Sequence, residues 1–318
     1  MGISTYCITS RWWSGSMGQY NMLHFCTRYG TSYCPLLHCM MKMLGLEDWW
    51  ETYHYSGNVD IPEKVKKLVF ELLNRIFKKG EVNTLGVIRN NWGQQTMKRW
   101  PEWDLEKNAY QLGVEFQEGI IIWHIATELL LFRSKIAIDQ NTEPTAEAIK
   151  ALSNYMMFLL VNRPDMLPGL AQKRLYQRTC TYLEKEWRKV VDDTTYHHST
   201  RNVCTRLKEL FYLHDNPNSD SRRPQREKLV SKLLDVEQDQ SRKASRVRFA
   251  IDVANKLFAE EEKKSGSTLQ MLLEMWIDFL VYAANRCSRE SHAKKLNSGG
   301  EFTTVLWLLT EHLYQVIV

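Results

Sequence analysis

Histidines and cysteines lie close together near the start of the chain, and this combination of residues is the one that binds zinc. The cluster consists of His24, Cys26, Cys34, His38 and Cys39. A structural zinc site takes four nitrogen or sulfur ligands, which usually come in pairs separated by two to four residues. The spacings here, His-x-Cys and Cys-x₃-His-Cys, match no common zinc knuckle. We therefore favour partly buried thiols on a helix, and we assign no metal ligands.

A second pair with nucleophile chemistry stands near the C-terminus, where Cys287 precedes His292. A cysteine nucleophile needs a base at hydrogen-bonding distance, and residues five apart on one helix do not share a face. We expect a helix end followed by a loop, and we assign no catalytic or cofactor-binding residues. One alternative stays open, an enzyme whose site assembles from distant residues, with His124, His292 and Glu301 as its members.

The composition is that of a globular protein and limits the classes of function. The 318 residues are 44% hydrophobic and 25% charged, close to the average for folded proteins. The net charge of +5 is too small for the concentrated basic surface of a nucleic-acid-binding protein. Seven scattered cysteines indicate free thiols and a reducing compartment. We predict no nucleic-acid partner, and a location in the cytoplasm or at the cytoplasmic face of a membrane.

The most apolar stretches, residues 119–132 and 269–287, contain acidic residues, so we predict no membrane-spanning segment. The first fifty residues nevertheless carry the aromatic and basic side chains that settle at a lipid surface. These are Trp12, Trp13, Tyr20, Phe25, Trp49 and Trp50, with Arg11, Arg28 and Lys42 among them. The same rings can instead pack into a core. Peripheral membrane contact and core packing both stay open.

Apolar residues recur at helical spacing along most of the chain, and no run shows the two-residue alternation of a β-strand. The predicted helices are Pro62–Lys79, Glu118–Ile138, Ala146–Asn162, Arg226–Val236, Ser245–Glu262, Thr268–Arg286 and Glu301–Val316, with further stripes over Leu175–Val190 and Val203–Phe211. Two prolines and a glycine in residues 163–169 predict a break. We predict an all-α, irregular multi-helix bundle, with Trp123, Trp276 and Trp307 largely buried.

One stretch stands out as a domain boundary. Residues 214–225 contain two prolines, many turn-forming residues and no aliphatic side chain. We predict that this linker joins a larger helical region, residues 1–213, to a smaller one, residues 226–318.

Several strings of the sequence resemble a single plant family. In the first region they are residues 19–21 (QYN), 46–50 (LEDWW), 54–57 (HYSG), 122–127 (IWHIAT) and 153–160 (SNYMMFLL). In the second region they run from Trp276 to His312, and they include Gly299-Gly300-Glu301-Phe302 and Trp307-Leu308-Leu309. Together they resemble the family, expanded in grasses, that joins domain of unknown function 4220 to C-terminal domain of unknown function 594.

The resemblance carries over no activity, cofactor or catalytic residue, because none is established for the family. Its members typically begin with several membrane-spanning helices, and this chain looks like a member without them. The resemblance implies that residues 1–213 correspond to the soluble part of domain 4220 and that residues 226–318 contain domain 594. We expect a non-catalytic interaction or regulatory module that is associated with a membrane and binds protein partners.

Overall fold

The structure is a computed structural model, and it describes residues 15–28, 43–45, 55–78, 84–100, 115–133, 142–194, 223–235, 246–263, 267–297 and 300–317. Within these ranges the chain is helical apart from one two-stranded sheet, which confirms the predicted all-α class. The elements in chain order are β1 (Ser16–Tyr20), α1 (Met22–Cys26), β2 (Ser56–Asp60), α2 (Glu63–Lys78), α3 (Thr84–Arg89), α4 (Gln94–Arg99), α5 (Phe116–Arg133), α6 (Glu143–Asn162), α7 (Lys173–Thr194), α8 (Arg223–Asp235), α9 (Arg246–Lys263), α10 (Ser267–Arg286), α11 (Arg289–Leu296) and α12 (Phe302–Ile317).

The most deeply buried helices are α5, α6 and α10. α5 is apolar on all sides, and between Phe116 and Leu130 only Glu118 and Glu128 are partly exposed. A helix of this kind must be covered all round. α6 and α9 pack against α5, α10 packs against α6, and α12 packs against α10. The buried apolar side chains of these helices belong to one continuous hydrophobic cluster.

Each predicted helix within the described ranges is present, and its ends agree to within three residues where they are described. The prolines and the glycine after α6 end it as predicted, because Pro164 opens a short 3-10 turn, Pro164–Met166, and Gly169 has a φ of +84°. α10 begins at Ser267 and ends at Arg286. The predicted stripe Val203–Phe211 lies outside the described residues.

The expectation that no strand is present is wrong for β1 and β2. They pair antiparallel, with Ser16 opposite Asp60 and Tyr20 opposite Ser56. Four of the five residues of β1 are buried, because α6 packs against this strand. A strand covered on both faces shows no alternation of polar and apolar residues, so the sequence pattern did not reveal it.

Two of the three tryptophans predicted to be buried are fully so. Trp123 and Trp276 have no exposed surface, and the Trp276 indole N–H donates to Thr127 Oγ1 at 3.1 Å. Trp307 is less deeply buried than the other two, and it packs against the same hydrophobic cluster with part of its surface exposed. Its ring stacks on His292 in the outer helix α12, so one side of the indole is covered by that contact.

The predicted linker falls largely on residues that the structure does not describe. Residues 214–222 lie outside the described ranges, and residues 223–225 form the first turn of α8. Helices from both predicted regions contribute to the same hydrophobic cluster. The division into two regions stays a prediction. Among the described helices, none has the length and apolar character needed to cross a membrane.

Gly18 shows how closely α6 approaches β1. A Cβ atom at Gly18 would overlap the ring of Phe158, whereas one at Gly15 would meet nothing within 4 Å. We expect Gly18→Ala to lower the free energy of unfolding by about 1–3 kcal/mol, because an added methyl in a packed contact forces its neighbours to move. Urea unfolding measures this change.

The matched control is Gly15→Ala, which makes the same change in the unfolded chain without the overlap. Phe158→Leu in the Gly18→Ala background should recover part of the lost stability. Equal stability of the two alanine variants would contradict the contact.

Candidate functional site

A stripe of side chains on α7 meets residues 15–28, which we call the N-terminal segment. Tyr176, Cys180 and Glu184 follow at four-residue spacing and therefore lie on one face of the helix. Each has a partner in the segment: the hydroxyls of Tyr20 and Tyr176 hydrogen bond, Cys26 Sγ lies 3.9 Å from the carbonyl oxygen of Cys180, and Arg28 Nη1 lies 2.5 Å from Glu184 Oε1. The stripe fastens the segment to α7 at three successive turns.

A cavity of about 740 Å³ opens beside this stripe. It lies between the N-terminal segment, the start of α5, the end of α6 and α7. Its lining is Tyr20, Phe25, Arg28, Gln117, Leu160, Val161, Pro164, Ala171, Gln172, Lys173, Tyr176, Gln177, Cys180, Thr181 and Glu184. The volume lies within the range of sites that bind small ligands, and about half of the lining residues are polar or charged.

The positive charge of Arg28 on the cavity wall is compensated by Glu184. Arg28 pairs with Glu184, donates a second hydrogen bond to the carbonyl oxygen of Phe25 at 3.1 Å, and lies 3.8 Å from the centre of the Phe25 ring. The exposed fractions of the Arg28 and Glu184 side chains are 8% and 16%. An ion pair with these extra contacts holds the guanidinium in one position.

The hydroxyls of Tyr20 and Tyr176 on the wall, and the Cys26 thiol behind it, are uncharged. Burial raises the pKa of Tyr20 and of Tyr176 well above the ordinary value. Burial, followed by a hydrogen bond with the Cys180 side chain, raises the pKa of the Cys26 thiol. A group removed from water resists ionisation in this way. The wall therefore offers hydrogen bonds and apolar contacts without an ionised nucleophile at these three residues.

A fixed loop beside the cavity carries an exposed leucine, Leu170, directly before Ala171 and Gln172, which line the cavity. The loop is residues 167–172, between the 3-10 turn and α7. Gln117 is buried beneath it and holds it with three hydrogen bonds: its Nε2 donates to the carbonyl oxygens of Leu170 at 3.0 Å and Pro168 at 3.5 Å, and its Oε1 accepts from the Gln172 N–H at 2.8 Å. Leu170 is 87% exposed. Its side chain thus projects from a backbone that is fixed from below.

His124, a member of the alternative dispersed site, links three elements in the interior. Its Nε2 accepts from the Met22 N–H at 3.2 Å, so the ring proton is on Nδ1, which donates to Ser153 Oγ at 2.8 Å. A serine nucleophile would need the reverse direction, in which histidine accepts the serine proton. Burial lowers the pKa of His124 to about 4. The histidine joins α1, α5 and α6 as a neutral ring.

His292 has structural contacts of the same kind. Its Nε2 donates to the carbonyl oxygen of Ala284 at 3.0 Å, and its Nδ1 accepts from the Thr304 hydroxyl at 3.1 Å. The ring stacks on Trp307 with 4.6 Å between centroids, and burial lowers the pKa of His292. These contacts hold α10, α11 and α12 together. The Cys287 thiol hydrogen bonds elsewhere, to the carbonyl oxygen of Asp165 at 3.5 Å, and burial raises its pKa to about 11.

Glu301 meets a different face of α6 from the one that His124 meets. The Tyr155 hydroxyl donates to Glu301 Oε2 at 3.3 Å, and Arg163 Nε lies 3.7 Å from Oε1. Burial raises the pKa of Glu301. Ser153, which contacts His124, and Tyr155 are two residues apart, so their side chains point to different sides of the helix. The three residues of the alternative enzyme therefore do not converge around one reacting group.

Three of the side chains considered for contact with a lipid surface lie in the interior. Tyr20, Phe25 and Arg28 are at most 6% exposed, so these three do not lie on a surface that lipid can reach. His24 and Cys26 lie in the buried helix α1. Cys34, His38, Cys39 and the two tryptophan pairs lie outside the described residues.

The sequence did not point to the cavity itself. Gln117, Leu170 and Tyr176 carry no motif, and their neighbours in the cavity come from elements up to 156 residues away in the sequence. The one available signal was the four-residue spacing of Tyr176, Cys180 and Glu184. That spacing marks a shared helix face without indicating what covers it.

Comparison with known proteins gives one match, in the C-terminal part. Residues 261–314 match the model of a family described as a protein of unknown function, DUF594. This stretch spans α10, α11 and most of α12, and it confirms the C-terminal half of the resemblance. No curated protein and no solved structure matches the chain. The relation to domain 4220 and the plant origin stay predictions.

The pKa of His124 makes stability depend on pH. Its folded value of about 4 is below the ordinary value of 6.5, so the unfolded chain binds the extra proton first as the pH falls. The stabilisation is complete above pH 6.5 and is lost between there and pH 4, and the loss amounts to about 3 kcal/mol. Chemical unfolding across this range measures it.

The comparison variant is His124→Gln, whose amide accepts from Met22 and donates to Ser153 but does not titrate. The difference in stability between parent and variant should shrink by about 3 kcal/mol as the pH falls. Parallel curves for the parent and His124→Gln would show that His124 is not buried as a neutral ring.

Proposed function

We propose that this chain is a non-catalytic protein-interaction module that acts at the cytoplasmic face of a membrane. Its docking surface is the cavity beside α7 together with Leu170, on the loop whose next two residues line the cavity. The observation that carries the proposal is the exposed Leu170 side chain on a loop fixed by Gln117.

A fixed loop favours recognition because binding then costs little further ordering of the backbone. A partner protein can cover the projecting leucine with an apolar surface and can insert a side chain of its own into the cavity. Interfaces concentrate their binding energy at a few such well-packed positions, surrounded by polar groups. Gln172, Lys173 and Gln177 supply the polar rim here.

The wall chemistry supports binding more than catalysis. The tyrosine hydroxyls and the Cys26 thiol stay protonated, and Arg28 is already paired with Glu184. These groups donate and accept hydrogen bonds in fixed positions. The alternative, an enzyme built on His124, His292 and Glu301, finds no support in the separate contacts that these residues make.

The partner that we propose is a protein embedded in the membrane. The resemblance to the family with domains 4220 and 594 supports a membrane setting, since its members typically carry membrane-spanning helices. Direct lipid contact through Tyr20, Phe25 and Arg28 is disfavoured because these side chains are in the interior. A membrane protein that covers Leu170 would hold the chain at a membrane without contact between lipid and these three side chains.

The test replaces Leu170 with aspartate. The immobilised full chain is incubated with a detergent extract of membranes, and the bound proteins are quantified by mass spectrometry. We expect a defined set of membrane proteins to bind the parent and to lose at least about tenfold in retention on Leu170→Asp, because a charge on the central apolar contact must be desolvated.

The matched control is Leu296→Asp, which places the same charge on an exposed leucine of α11 that does not line the cavity. This control should retain the same proteins as the parent. The proposal fails if Leu170→Asp retains every protein that the parent binds, or if both variants lose the same set equally.

A further inference from the structure

Two cysteine side chains meet behind the wall of the cavity. Cys26 Sγ on α1 lies 3.9 Å from the carbonyl oxygen of Cys180 on α7, and the Cys180 side chain is close enough to raise the pKa of the Cys26 thiol. Both are free thiols and both are buried. They are 154 residues apart in the sequence, so the contact exists only in the folded chain.

The contacts on either side limit how far these thiols can separate. One turn before Cys180, Tyr176 bonds to Tyr20, and one turn after it, Glu184 pairs with Arg28. α1 and α7 are thus clamped at both ends of the cysteine contact. A disulfide needs the two Cβ atoms about 3.5–4.5 Å apart. The two clamps keep Cys26 Sγ in contact with the backbone of Cys180, which is the proximity that such a bond requires.

The two thiols differ in access. Cys180 lines the cavity, whereas Cys26 has no exposed surface and is not part of the lining. A small reagent that enters the cavity therefore meets Cys180 first. Cys26 can then react only with a sulfur that Cys180 already carries.

We infer that Cys26 and Cys180 are a reversible redox site, in which a small disulfide of the glutathione class enters the cavity and exchanges with the pair to leave a Cys26–Cys180 disulfide. This inference is independent of the proposed docking role. The same cavity wall would thus take part in covalent disulfide exchange as well as in non-covalent docking.

The exchange proceeds in two balanced steps. The Cys180 thiolate attacks one sulfur of oxidised glutathione, the glutathione S–S bond breaks, and one glutathione leaves and takes up the proton that Cys180 lost. Cys26 then gives up its proton and attacks the Cys180 sulfur of the mixed disulfide, and the second glutathione leaves as a thiol. Two cysteine thiols become one disulfide, and one oxidised glutathione becomes two thiols. Excess reduced glutathione reverses both steps.

The surroundings of Cys26 make the second step the slower one. Burial raises the pKa of its thiol, the neighbouring Cys180 and Glu184 act in the same direction, and Arg28 opposes them. Tyr20 and Tyr176 also face this contact and are uncharged. Because the thiolate is the attacking species, the mixed disulfide on Cys180 should persist long enough to be trapped when Cys26 is removed.

Tryptic mapping of the full chain tests the inference, because trypsin places Cys26 and Cys180 in separate peptides that contain no other cysteine. Cleavage after Arg11 and Arg28 gives residues 12–28, and cleavage after Arg178 and Lys185 gives residues 179–185. The folded, reduced protein is exposed to millimolar oxidised glutathione, quenched with acid, alkylated with N-ethylmaleimide under denaturing conditions and digested. Cys26→Ser, Cys180→Ser and Cys287→Ser are treated in parallel.

In the parent we expect most of peptide 12–28 to be linked to peptide 179–185, and excess reduced glutathione should reverse the link. Cys26→Ser should give peptide 179–185 carrying one glutathione, and Cys180→Ser should give peptide 12–28 alkylated, since Cys26 is not reached from the cavity. Cys287→Ser, which changes another buried cysteine, should behave as the parent.

The inference is overturned if both parent peptides remain alkylated after the oxidant, or if either is linked mainly to a different cysteine. It is also overturned if Cys26→Ser leaves Cys180 free of glutathione while circular dichroism shows the variant folded. The map of the parent decides the question by itself if a serine variant does not fold.

Discussion

The fold depends on the burial of the N-terminal segment among α5, α6 and α7. Every residue from Met17 to Arg28 is buried, and three polar groups of the segment hydrogen bond to α5 and α6. Gln19 donates to the carbonyl oxygen of Ala151, Asn21 donates to the side chain of Asn154, and the Met22 N–H donates to His124. A buried polar group that loses its partner costs about 1–3 kcal/mol, so these contacts fix where the segment lies as well as holding it there.

The same burial determines the chemistry of the cavity. Removal from water raises the pKa of Tyr20, Tyr176 and Cys26 and lowers that of His124, so each of these groups is held in its neutral form. Neutral hydroxyl and thiol groups on clamped elements form a surface suited to recognition. The inferred thiol exchange takes place at this wall because Cys180 lines the cavity and Cys26 lies directly behind Cys180.

The sequence predicts the helices well and the cavity poorly, for one physical reason. A helix such as α2 shows its buried face within a few residues, since apolar side chains recur every three or four positions. β1 shows no alternation of polar and apolar residues because both of its faces are covered. The pairs Tyr20–Tyr176 and Arg28–Glu184 each join residues 156 positions apart, so a local pattern does not indicate them. Two strings that carried the family resemblance, residues 19–21 and 153–160, meet in the Asn21–Asn154 hydrogen bond.

Hydrogen exchange at the N-terminal segment tests the central claim most directly. The account makes α1 part of the core, so the amides of residues 22–26 should exchange as slowly as those of α5, through global unfolding alone. Mass spectrometry of peptic peptides from the intact chain compares the two. Equal protection of residues 22–26 and of residues 120–130 is the predicted result. Exchange of residues 22–26 that is faster by about a hundredfold or more would mean that the segment opens independently, which would contradict its place in the core.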